Sequence, residues 1–174
     1  MKTSSSLKGI RIIDLSMGWA GPLAARNLAD LGADVIKVES CENFDWWRSW
    51  EATQEWIDDD GAEKSPAFNS VHRNNKNITL DLSYKEGREL LLKLVGTANA
   101  VMENFSGGVL PKLDLSYEVF KKVKEDIILL SMHAFGSSGP WKMFRGYGST
   151  IEQSSGLPHV NGISSDPPMM HHVA

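Results

Sequence analysis

The chain has 174 residues, 41% hydrophobic and 23% charged, with a formal net charge of −4. That length suffices for one domain with a sizeable core, and the acidic balance offers no positive field to recruit nucleic acid. Cys41 is the only cysteine, which excludes an intrachain disulfide and a cysteine-based zinc site. No activating partner lies near it in sequence, and it reads as a small, semi-buried residue. No apolar run reaches the roughly 18 residues needed to cross a bilayer, and residues 1–9 lack the hydrophobic stretch of a secretion signal. The cytoplasm is the expected compartment.

The chain alternates between strand and helix patterns. Residues 10–15, "IRIIDL", are a short apolar run before Gly18 and suit a buried parallel strand. Pro22 fits the first turn of a helix, where its missing N–H costs nothing. Ala24, Leu28 and Leu31 follow at helical spacing, Gly32 closes the helix, and residues 35–39 form the next strand. The result is a β-α-β unit, with a right-handed crossover expected.

Residues 40–77 break this rhythm with four of the six tryptophans and a run of three aspartates. The segment is too long for an ordinary connection and reads equally as an anchored surface loop or a binding segment. Regularity returns with a strand at 78–82. Ser83 and Glu86 match a capping box, and Leu90, Leu91, Leu94 and Val95 form the buried stripe of the next helix. A strand at 100–103 follows, then a short helix from about Ser116 with Tyr117, Phe120 and Val123 inward, and a strand at 127–132. From Gly136 the chain is rich in Gly, Ser and Pro, with one short helix near 151–155. The expected division is an α/β core with a parallel sheet over residues 1–135 and a further segment over 136–174. The final residues carry neither a polar tail nor a helix stop, and the end reads as cut.

In an open parallel sheet, ligands sit at the carboxyl ends of the strands. Three segments should meet there: residues 17–22, Glu39–Ser40 and residues 104–108, "NFSGG". Gly18 and Gly21 permit close backbone approach, and the following helix points its positive end into the cleft. Trp19 and Pro22 do not suit a pyrophosphate cradled by successive N–H groups. The turn fits a flat or apolar group with a loosely held phosphate nearby. Glu39 stands where an NAD enzyme keeps its ribose-binding acid, but the glycine fingerprint is incomplete. An NAD-binding domain remains an alternative. Phe105 can stack on a ring, Asn104 and Ser106 can hydrogen-bond, and Lys112 can neutralise a phosphate. No pair of histidines has metal-binding spacing on a helix face, and no metal site is expected.

Four blocks in order carry a resemblance: "LKGIRIIDLSMGWAGPLAARNLADLGADVIKVE", "NKNITLDLSYKEGRELLLKLV", "ANAVMENFSGGVLPKLDLSYE" and "ILLSMHAFGSSGPWKMFRGYGSTIEQSSGL". Together they resemble the class III CoA-transferases, the family of formyl-CoA and crotonobetainyl/carnitine CoA-transferases. The resemblance implies the N-terminal part of a Rossmann-like enzyme that moves coenzyme A from an acyl-CoA to a carboxylic acid.

By that resemblance, Trp19 and Ala20 line the CoA channel, and Leu80 and Asp81 flank the adenine. Asn104, Phe105 and Ser106 border the CoA chain, and Lys112 meets the phosphates. Ser40 stands where many members carry an arginine at the nucleotide end, and Lys112 replaces a frequent arginine, losing its bidentate fork. The family nucleophile is an aspartate, which forms an anhydride and then a CoA thioester. It lies beyond the segment matching "DPPMMHHVA", so the resemblance puts no catalytic residue in this chain and implies that the chain alone is inactive. Asp166 is not its equivalent. Family members form interlocked homodimers, and a partial chain is expected to expose apolar surface. A CoA-binding subunit completed by a partner chain is the second alternative. Tyr147 and Gly148 replace the His-Asp pair of the related racemases, which argues against racemisation.

Overall fold

A computed structural model describes residues 5–49, 53–163 and 165–170. Their fold is built on parallel strands whose central members are apolar on both faces. Strand β1 (Arg11–Asp14) leads into helix α1 (Ala20–Asp30) and strand β2 (Asp34–Glu39). A 3-10 turn (Trp46–Arg48) and three short helices follow, α2 (Gln54–Asp58), α3 (Gly61–Lys64) and α4 (Pro66–His72). Strand β3 (Lys76–Thr79), helix α5 (Lys85–Val95), strand β4 (Ala100–Glu103), helices α6 (Val109–Lys112) and α7 (Tyr117–Val123), and strand β5 (Ile128–Ser131) complete the sheet-bearing part. Helices α8 (Gly148–Ser155) and α9 (Leu157–Val160) come last.

All strand pairs are parallel, in the order β3-β2-β1-β4-β5. The chain therefore runs outward on one side of β1, then returns to place β4 against its other side. That reversal creates a crevice beyond the carboxyl ends of β1 and β4. Ile12, Val35 and Met102 face α1, whose contact surface is made of small residues, Ala25 and Ala29. Ile13, Leu15, Val38 and Val101 face the other way, onto Leu91 and Val95 of α5, Leu110 of α6 and Phe120 of α7. Burying each such side chain stabilises the fold by about 1.5–3 kcal/mol.

The chain divides into two units, residues 1–105 with 109–132, and residues 106–108 with 133–174. The first holds the whole sheet. In the second, Phe135 meets Trp141 and Phe144 edge-on, with ring centroids 5.7 and 6.3 Å apart. There too, Gly146 lies against Ile151 and Ala134.

Several expectations need correction. Residues 40–77, read equally as an anchored surface loop or a binding segment, carry the 3-10 turn and α2–α4 among their described residues and end inside β3. Strand β3 starts two residues earlier than expected, and both edge strands are largely exposed, so their apolar pattern is a weaker guide. The capping box does not form. Helix α5 starts at Lys85 after Tyr84, with no side-chain cap, because the Ser83 hydroxyl donates to Asp81 at 2.6 Å in a local turn. Leu31, Leu90, Tyr117 and Val123 are exposed rather than inward. Each flanks a narrower stripe, formed by Ala25 and Ala29 on α1, Leu91 and Val95 on α5 and Phe120 on α7. Cys41 is exposed, not semi-buried.

Candidate functional site

The crevice at the reversal point opens into a cavity of about 380 Å³ within the sheet-bearing unit. Leu15, Val38, Leu80, Leu82, Phe105 and Leu113 supply its apolar lining. Met17, Glu39, Ser40, Asn43, Asp81 and Ser83 add polar or adaptable groups. Four of the residues singled out in the sequence, Ser40, Leu80, Asp81 and Phe105, thus share one space although they come from three separate connections.

Local chemistry fixes each wall. The Asp81 carboxylate accepts from the Ser83 N–H at 2.8 Å and from its hydroxyl, and these bonds hold it below the usual carboxylate range. That turn is pressed onto α5 at Gly87, where a Cβ would come within 2.0 Å of the Asp81 carbonyl oxygen. Ser40 is buried, and its Oγ accepts from the Asn43 N–H at 2.9 Å. The Phe105 N–H donates to Glu103 at 2.8 Å. Asn104 does not line the cavity but braces it: its side chain accepts from the Met17 N–H at 2.8 Å and donates to the Met17 carbonyl at 2.7 Å. The β1 and β4 connections are joined in this way at the point where the strand order reverses.

Trp19 precedes α1, is 44% exposed and meets Trp47 edge-on at 5.7 Å. Neither Trp19 nor Ala20 is among the lining residues of the cavity. Lys112 is exposed on α6, next in sequence to the lining residue Leu113. Ser106 belongs to the second unit.

Behind the cavity lies a set of buried charges that the sequence reading did not identify. Glu39 lines the cavity with one side and receives Arg48 on the other, at 3.0 and 2.9 Å, as well as the Asp45 N–H at 2.8 Å. Burial pushes its carboxyl up, but the Arg48 and Asp45 hydrogen bonds and the charges of Arg48 and Lys37 more than offset this and hold it below the usual range. The acid that the NAD alternative would use for a ribose is therefore already engaged by protein groups. Asp45 is fully buried with Lys37 beside it at 3.6 Å and His72 at 3.3 Å. Burial again raises its carboxyl, and the bonds from His72, Trp47 and Gly18 with the Lys37 charge bring it below normal. The Lys37 ammonium also donates to the Ser16 carbonyl. One signal in the sequence pointed here: Asp45 stands directly before "WWR" as a helix-capping residue, and its side chain accepts from the Trp47 N–H.

Among the described residues, no cluster of three or more His, Cys, Asp and Glu is placed to hold a metal ion, and no helix is long and apolar enough to cross a membrane.

The profile of CoA-transferase family III matches residues 7–174. The chain is 38% identical over 170 residues to an acyl-CoA transferase of Fusarium pseudograminearum, covering 96% of this chain and 37% of that protein. It is equally 38% identical over 170 residues to a succinate–glutarate CoA-transferase of Agrobacterium fabrum, covering 97% and 42%. A crystal structure of a CAIB/BAIF family protein from Brucella suis superposes with a TM-score of 0.86 at 35% identity, covering 98% of this chain and 44% of that one. The chain thus spans about two-fifths of the length of these relatives.

Proposed function

The chain belongs to CoA-transferase family III, and we propose that it forms the CoA-binding part of an acyl-CoA:carboxylate CoA-transferase acting in the cytoplasm. The observation that carries this reading is the 380 Å³ cavity at the reversal point, where Ser40, Leu80, Asp81 and Phe105 come together. An apolar lining that includes a phenyl ring suits a flat purine, and Asp81 and Asn43 offer polar partners for its edge and ribose. Lys112 supplies a cation for the phosphates. Phe105 borders the cofactor, with Asn104 bracing the connection beside it, and Trp19 and Ala20 border the path to the thiol.

The reaction needs one carboxylate on the enzyme. That carboxylate attacks the thioester carbonyl of the donor, the C–S bond breaks, and CoA leaves as the thiolate. The thiolate then attacks the enzyme's own acyl carbon in the anhydride, releasing the donor acid and forming an enzyme–CoA thioester. The acceptor acid repeats the sequence and leaves carrying CoA. We assign the attacking aspartate to a position outside these 174 residues. That assignment rests on the family resemblance, which places the aspartate beyond the segment matching "DPPMMHHVA". The working enzyme is a homodimer, and similarity to a succinate–glutarate CoA-transferase makes dicarboxylic acids the first acids to test.

Calorimetric titration of the chain with CoA, and separately with NAD, tests the reading. It predicts binding of CoA, no measurable binding of NAD, and no CoA exchange between succinyl-CoA and glutarate by this chain alone. A preference for NAD contradicts the CoA site. Exchange by the chain alone contradicts the assignment of the nucleophile to another region.

A further inference from the structure

The two oxygens of Asp45 have different partners. Oδ1 accepts from the Trp47 N–H at 3.0 Å, a local cap of the 3-10 turn. Oδ2 reaches across 27 positions to accept from the Gly18 N–H at 2.9 Å, and it also faces His72 Nε2 at 3.3 Å and the Lys37 ammonium at 3.6 Å. Capping alone needs only the first oxygen. The second ties the 40–77 segment to the turn beyond β1, and Lys37 ties the same turn at the Ser16 carbonyl.

That turn is the cavity wall. Met17 lines the cavity and is gripped by Asn104, the first residue after β4. Its neighbour Gly18 is gripped from the opposite side by Asp45. Gly18 has φ +75°, a conformation that favours glycine, and a Cβ there would lie 2.4 Å from the Trp46 ring. The tryptophan turn is thus seated directly on the Gly18 backbone, and Asp45 sets both the seat and the seated group.

We propose that Asp45 is a positioning residue for ligand binding: its Oδ2, backed by Lys37 and His72, fixes the Met17–Gly18 wall and thereby sets the affinity for a CoA thioester. This rests on the CoA reading above. Without the tether, Asn104 still holds Met17 and Lys37 still holds Ser16, but the Gly18 N–H loses its anchor, the wall samples positions that do not fit the ligand, and affinity falls with the fraction of the fitting state.

Asp45→Asn separates the two roles of the carboxylate. The amide oxygen can still cap Trp47, while its NH2 then meets the Gly18 N–H and the Lys37 ammonium, both donors. The proposal predicts that Gly18 amide hydrogen exchange, followed by NMR, accelerates by about tenfold or more in this variant. Exchange at Leu91 and Val95 in the core stays unchanged, and CoA affinity in the chain weakens by about tenfold. Unchanged Gly18 exchange, or unchanged CoA affinity in a folded Asp45→Asn chain, overturns it. If that variant fails to fold, His72→Phe removes one support of Oδ2 while keeping an aromatic ring against Phe68, now stacked at 4.0 Å. It should accelerate Gly18 exchange and weaken CoA binding in the same direction, and no change in either overturns the proposal. Failure of the unmodified chain to bind CoA removes the functional reading instead; the Gly18 exchange then decides on the tether alone, and normal Gly18 protection in Asp45→Asn overturns it.

Discussion

Glu39 faces two ways: it borders the cavity and, with Arg48, anchors the segment packed behind it. Its position in sequence resembles that of a ribose-binding acid, and only the approach of Arg48 and of the Asp45 N–H gives it another use. Gly87 has a comparable double role, because its missing side chain is what lets the Asp81 turn rest on α5. Gly87→Ala must push that turn away from the helix, and overpacking of this kind costs about 1–3 kcal/mol. The expected outcome is a lower Tm together with weaker CoA binding, read by thermal melts and calorimetry. A lower Tm with unchanged CoA affinity contradicts the role of Asp81 in the site.

At the scale of elements, the 40–77 segment is held by buried polar groups more than by an apolar stripe. Arg48 sits between Glu39 and Glu63 and over the Phe68 ring, 3.6 Å from its centroid. Arg26 donates to the Ser70 carbonyl, and Arg73 pairs with Asp30, so the C-terminal end of α4 is fastened to α1. A sequence pattern based on periodic apolar residues cannot reveal such an arrangement, and the segment read as an irregular connection for that reason. Strand β4 was legible to the residue and β1 nearly so, because an apolar run bounded by turns has few other solutions. The charges also set the pH response. Asp45 faces Lys37 and His72, and Glu39 faces Arg48 and Lys37; both carboxyls lie below their unfolded values. Their contribution to stability is therefore complete above the ordinary carboxylate pKa of about 4 and is lost as pH falls through the depressed native values. Thermal melts should show Tm dropping steeply below about pH 4. Arg48→Met leaves Glu39 buried without its main partner and should cost about 3–5 kcal/mol at pH 7. It should also flatten the acid limb. An unaltered acid limb in that variant contradicts the network's role.

At the scale of the whole molecule, the strand order matters most. The reversal between β1 and β4 brings the Met17, Ser40, Asp81 and Phe105 connections to one crevice. The sequence indicated which turns carry ligand chemistry, through their glycine, aromatic and polar residues and through the resemblance of four ordered blocks. It did not indicate that Asn104 would brace Met17 rather than face the cavity, nor that Lys37, a charged residue inside an apolar strand, would be wholly buried beside Asp45. The first depends on a pairing across 87 positions, and the second on the fold of the connection after β2, which periodicity does not reveal. CoA is proposed to occupy the cavity of about 380 Å³ at this reversal. Amide chemical-shift mapping of the chain during CoA titration tests it most directly. Saturable shifts should concentrate at Met17, Ser40, Leu80, Asp81 and Phe105. Shifts confined instead to the separate pocket of about 420 Å³ bounded by Trp56, Lys64 and Pro66 would contradict it.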